Sequence, residues 1–255
     1  MRAFIAFTKK EFVESLRTYR ILILSAVFLI LGVMSPLTAK IMPDLFSGID
    51  LGGGLTITVP EPTAMDSWSQ FFKNVGQMGM LLLIITFCGI MANEFSRGTL
   101  VNLLTKGLKR HIVVLSKFLA ASILWTASYL LCLSVCYAYT EFYWPAVVLY
   151  DPFFAFLSPW LFGEFLIALL ILGGILFRNF YGSLFTCFAV IIVLSLLNIN
   201  PQFQKYNPIM LASGTLSLLN AQKETADFIP AAILCACLIV VLIAGSIVAF
   251  YKKKI

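Results

Sequence analysis

The chain has 255 residues, 60% of them hydrophobic and 12% charged, with a net charge of +6 and a mean hydropathy of +0.96. A soluble domain carries about 25% charged residues. So few charges cannot cover a soluble surface, so the composition excludes a soluble enzyme or a nucleic-acid-binding domain and predicts an all-α integral membrane protein.

Residues 1–20 are too polar to span. At 100° per residue, Met1, Ile5, Phe12, Leu16 and Tyr19 share one face of a helix, with Lys10, Glu14 and Arg17 opposite and Lys9 beside them. This pattern predicts an interfacial helix ahead of the first span; the alternative is a basic anchor that only sets topology. Six charge-poor windows of about 20 residues follow: 21–39, 74–93, 118–140, 152–177, 179–198 and 228–251. The loop 40–73 carries glycines at 52–54 and a short LTITV run, with a helix expected near 64–72. The fourth and fifth windows are joined only by Arg178 and Asn179, which predicts a tight helical hairpin.

Orientation follows from the basic residues. With both termini inside, 14 of the 18 Lys and Arg residues are cytoplasmic, leaving Lys40, Lys73, Lys205 and Lys223 outside. Trp68, Trp144 and Trp160 then fall near the outer face, as an interfacial belt would. Localisation in a cell membrane, with lipids as neighbours, is the corresponding expectation.

The second and third windows are separated by the densest basic segment inside the chain, 93–117, NEFSRGTLVNLLTKGLKRHIVVLSK. A two-residue turn would have satisfied topology, as it does between the fourth and fifth. The run 99–104 is long enough for one and a half helical turns, and Gly107 ends it. Glu94 and Arg97 stand at i,i+3 before it, with Lys106, Lys109, Arg110 and Lys117 after it. This is the composition of a docking helix held at the membrane surface. The alternative is a plain loop whose lysines touch anionic lipid, at about 1 kcal/mol each.

One carboxylate, Glu164, lies well inside a window. A charged group there is a functional candidate by default, either pairing with a group across a dimer or lining a substrate path near its outer gate. Pro159 and the Gly173–Gly174 pair leave open a second reading, in which Glu164 sits on a short re-entrant outer helix. His111 is the only histidine, too few for a zinc site. The six cysteines all lie in apolar runs and read as packing groups.

The pattern NE…GTLVNLLTKG…R…SK, between a second and a third span, resembles the cytoplasmic loop of ABC-2-type ABC transporter permeases. The N-terminal KKEF and SLRTYR, the following span with SPLTAK, and the six-span layout with both ends inside are similar to that family too. The resemblance implies an exporter permease subunit, one of two such chains, identical or paralogous, working with two copies of a cytoplasmic ATPase. In that family the N-terminal helix is an elbow (1–20), the transmembrane domain follows (21–255), and the loop (94–117) carries a coupling helix. It implies ATPase contacts at or beside Glu94, Arg97, Gly98, Thr99, Leu100, Leu103, Leu104, Lys106 and Arg110, and favours a re-entrant outer hairpin. Many relatives have proline where this chain has Gly107. The chain has no G-x-x-x-x-G-K-[ST] loop, so no cofactor is expected here; ATP and Mg would sit on the partner. The cargo expected is amphipathic or antimicrobial peptide, with lipids or small antibiotics as alternatives. The other class of reading is a non-transporting sensor or channel.

Overall fold

The computed structural model describes residues 2–47, 61–96, 98–105, 107–145 and 148–253. The glycine triplet, the LTITV run, Arg97 and Lys106 lie outside these, as does the side chain of Leu103. Among the described residues the protein is helical throughout, with six helices long and apolar enough to cross a membrane. The architecture is that of an all-α integral membrane protein.

Helix α1, Arg2–Arg17, precedes α2, Arg20–Ser47. The first span is longer than its charge-free window because α2 runs on through Pro36, Lys40 and Pro43. Interior prolines are tolerated in membrane helices, where neighbours re-satisfy the freed carbonyl. The second span is a stack: α3 (Ala64–Asn74), a π-helical turn at Val75–Gly79, α4 (Met80–Phe87) and α5 (Gly89–Ser96). The α3 helix confirms the one expected near 64–72. Its start is fixed by Asp66, whose carboxylate accepts from the Thr63 backbone N–H and hydroxyl, both at 2.8 Å. Next come α6 (Thr99–Thr105) and α7 (Arg110–Tyr143). The fourth and fifth spans, α8 (Pro152–Phe177) and α9 (Phe180–Leu197), form the expected hairpin, with Arg178 at φ 58° and the Asn179 side chain capping α9. Three short helices, α10 (Pro201–Gln204), α11 (Met210–Ser213) and α12 (Leu216–Leu219), lead to α13 (Thr225–Lys252).

The most enclosed span is α8, packed by α7, α9, α13, α4 and α5, with α11 and α12 also against it. It is one unbroken helix of 26 residues, about 39 Å long at 1.5 Å per residue. The re-entrant reading of its outer part does not hold, and Pro159 does not break it. The Gly173–Gly174 pair serves packing instead. A Cβ on Gly173 would stand 2.8 Å from Thr186 Oγ1 of α9, and one on Gly174 2.9 Å from Met91 Cβ of α5. The chain does turn back on the bundle, but after α9: Leu211, Leu218 and Leu219 of the short helices are buried.

Trp68 corrects the interfacial-belt expectation. It is buried, with ring centroids 4.9 Å from Phe156 and 5.8 Å from Phe71. Its indole fills the core between α3, α7 and α8. At this same end Ser67 and Thr140 hydroxyls meet at 2.7 Å, Trp144 Nε1 donates to Pro62 O at 2.7 Å, and the Lys40 ammonium lies 3.9 Å from the Tyr143 ring.

Candidate functional site at the basic end of the bundle

The opposite end gathers α1, the α5–α6–α7 connection, the α8–α9 turn and the last turn of α13. Helix α1 is positioned by three faces rather than two. Ile5, Leu16 and Tyr19, on the predicted apolar face, point away from the protein, where acyl chains would cover them. A third stripe, Phe7, Glu11 and Ser15 at i,i+4 spacing, is buried against the bundle. Lys10 and Glu14 border this stripe, while Lys9 and Arg17 are exposed.

Five charges from three elements meet beneath α1. The Lys117 ammonium, seven residues into α7 and fully enclosed, donates to Glu11 Oε2 at 2.8 Å and Glu94 Oε1 at 3.1 Å. The Lys10 ammonium reaches Glu94 Oε1 at 2.6 Å, Glu14 Oε2 at 2.7 Å and Glu11 Oε1 at 3.0 Å. Burial works against the charge on Lys10, but its hydrogen bonds to Glu14 and Glu94 and the adjacent Glu11 outweigh that and hold its pKa above the ordinary lysine value. Oxygens of Glu11, Glu14 and Glu94 lie within 4.8 Å of one another, close enough for a cation. Lys10 is hydrogen-bonded to all three, so its ammonium takes the place a metal ion would fill.

Glu94 is also the link to α6. The Thr99 hydroxyl donates to the second carboxylate oxygen, Glu94 Oε2, and lies 3.4 Å from the Glu94 backbone carbonyl. The short helix is bounded by Gly98 at φ 66° and Gly107 at φ 86°, left-handed conformations that glycine adopts without a Cβ penalty. Leu100 is buried and Leu104 half-buried, fixing one face of α6 on the bundle.

These placements revise two expected contacts. Glu94 is 4% exposed, so it is not a surface residue at all; it joins α6 to α1 and α7 from within. Among the described residues its charged partners are Lys10 and Lys117; Arg97 lies outside them. Arg110 is turned onto α13, where its guanidinium donates to the carbonyls of Phe250, Tyr251 (3.0 Å) and Lys253 (2.8 Å). A cation on the last carbonyls of a helix satisfies orphan acceptors and its dipole. His111 Nδ1 is 3.1 Å from the Tyr251 hydroxyl on the same turn. Phe95 completes the junction, 5.8 Å edge-on to Phe250 and 5.7 Å from the Arg178 guanidinium.

Two members of the network, Glu11 and Lys117, were missed as site residues. The signal was present: a lysine two turns inside an apolar helix demands a carboxylate partner, and Glu11 shares an i,i+4 stripe with Phe7 and Ser15. The membrane-buried candidate, Glu164, lies far from this end, in the middle of α8.

No protein-family model matches the chain. It is 24% identical over 142 residues to the uncharacterized transmembrane protein YxlG of Bacillus subtilis (strain 168). The match covers 55% of this chain and 55% of the relative, so it spans about half of that protein's length. A transmembrane relative and six spanning-length helices agree: this is a multi-pass membrane protein.

Proposed function

We propose that this chain is the permease subunit of an ATP-driven exporter of the ABC-2 type, with α6 as the helix on which a separate cytoplasmic ATPase docks. The observation that carries the reading is the hydrogen-bonded chain Thr99–Glu94–Lys117–Glu11. It ties a short, glycine-bounded surface helix to the second span, the third span and α1 at once. A loop that only touched lipid would need no such root.

In this reading, ATP binding draws two ATPase subunits together and shifts α6. The Thr99 hydroxyl passes the shift to Glu94, whose carboxylate is shared by Lys10 and Lys117, so α1 and α7 move with it. Two permease chains then exchange access from the inner to the outer side. The basic end faces the cytoplasm by the positive-inside rule. ATP and Mg belong to the ATPase, and the chain has no phosphate-binding loop of its own. Amphipathic peptides are the cargo favoured by the resemblance.

The test is co-purification with the ABC ATPase of the same gene neighbourhood, followed by ATP hydrolysis in proteoliposomes. Deleting 99–104 is expected to abolish ATPase binding. Replacing Thr99 by Val should leave binding but uncouple hydrolysis from transport. An ATPase that never co-purifies, or transport that survives the deletion, sinks the proposal and favours a non-transporting sensor or channel.

A further inference from the structure

Glu164 sits 12 residues from the first residue of α8 and 13 from the last, about 18–20 Å from either end. It is 5% exposed. One carboxylate oxygen accepts from the Ser122 hydroxyl of α7; the other, Oε1, has no hydrogen-bond partner among the described residues. The carboxylate borders a groove of about 590 Å³ between α7, α8 and α13, walled by Phe118, Thr126, Leu130, Trp160 and Ile239. Such a volume suits a drug-sized ligand. Its other polar groups are spent: Trp160 Nε1 donates to Thr126 Oγ1 at 2.9 Å. Among the described residues no basic side chain lines it. Lys117, one residue before Phe118, is committed to Glu11 and Glu94.

We propose that this groove binds a lipophilic organic cation taken from the bilayer, with Glu164 as its counter-ion. An apolar wall with one unmet carboxylate matches a molecule with an apolar body and one N–H-donating ammonium. A charge left alone at this depth costs several kcal/mol; Oε1 is buried beneath the groove wall, so an ammonium satisfies it by displacing the side chains over it while the body fills the groove. The access route is lateral, since Ile123 and Leu130 of the lining are exposed on the flank of the bundle. A second copy of this chain is a poorer occupant. The outward-facing spans α9 and α13 carry no Lys, Arg or His between 180 and 251 except Lys205 and Lys223, which lie between the two helices, so no in-span cation is available at mid-membrane. The inference does not depend on the coupling proposal, and its test contains no ATPase, so each fails separately.

The probe is dansylcadaverine, a primary amine on an apolar fluorophore, added to the protein in phosphatidylcholine nanodiscs. Saturable tryptophan-to-dansyl energy transfer is expected, and N-acetylated dansylcadaverine, which lacks the charge, should bind at least about tenfold more weakly. Glu164→Gln should weaken the amine by a similar factor while leaving the acetylated probe unchanged. Ile239→Trp, which fills the groove without touching the carboxylate, should block both. Equal binding of charged and acetylated probes, or undiminished binding to Glu164→Gln, overturns the proposal. So does a quantitative disulfide between copies carrying Leu130→Cys, because the groove would then be covered by protein.

Discussion

Lys117 is a fully buried cation whose two hydrogen-bond partners are both carboxylates. It is enclosed on every side, and its two carboxylate partners are buried with it. A buried ion pair is worth little against an apolar replacement of the same shape, but removing one partner strands the other's charge, at about 3–5 kcal/mol. Lys117→Met alone should therefore lower the thermal unfolding midpoint in detergent sharply. The triple variant Lys117→Met, Glu11→Gln, Glu94→Gln should recover most of the loss, because the stranded charges go with their partner. Additive losses across the series would show that Lys117, Glu11 and Glu94 do not act as one network. Lys10 sits at the rim of the same network and answers to pH in one direction only. Its folded pKa is raised above the ordinary lysine value. The contribution is thus fully present below the unfolded pKa, about 10.4, and fades as pH rises through the folded value. The stability deficit of Lys10→Met is expected to be constant between pH 7 and 9 and to shrink only above about pH 10.

At the scale of the element, α6 is seven residues long, too short to be stable by its own hydrogen bonds. Its ends depend on Gly98 and Gly107, both left-handed with nothing within 4 Å of a built Cβ. Alanine at either position would meet no neighbour, so the whole effect is backbone strain, about 1–2 kcal/mol. Amide exchange over 99–105 should accelerate by roughly 5–30-fold in Gly107→Ala, with the spans unchanged; an unaltered rate would mean the glycines are incidental. Here the sequence was legible, because glycine spacing and a short apolar run are local signals. The same holds for the α8–α9 turn at Arg178 and Asn179. What was not legible is whatever depends on three elements meeting. Glu94 read as a surface residue of the loop, whereas packing brings it Lys10, 84 residues away, and Lys117. Arg110 read as a surface cation because nothing in 93–117 reveals that α13 ends beside it. Trp68 read as an interfacial anchor because its burial depends on Phe156 and Tyr137 from two other helices. Helix α1 shows the intermediate case: its apolar face was visible from periodicity, but the Phe7–Glu11–Ser15 stripe gains meaning only beside Lys117.

For the molecule as a whole, the arrangement of the basic end sets what can move with what. Helix α6 is rooted in Glu94, Glu94 holds α1 and α7 through two lysines, and Phe95 and Arg110 bring in the α8–α9 turn and the end of α13. A force on α6 therefore has two kinds of route inward: the polar one through Thr99, and the backbone, which continues into α5 on one side and into α7 on the other. The two predict different outcomes for one substitution. If the polar route dominates, adding the proposed ATPase partner with a non-hydrolysable nucleotide should change amide exchange in α6, in α1 and in the last turn of α13 together. Thr99→Val, which keeps the shape and loses the donor, should preserve the protection of α6 by the bound ATPase while α1 ceases to respond. If α1 responds equally in the variant, the backbone through α5 or α7 carries the motion, and the Thr99–Glu94 bond serves only to seat α6.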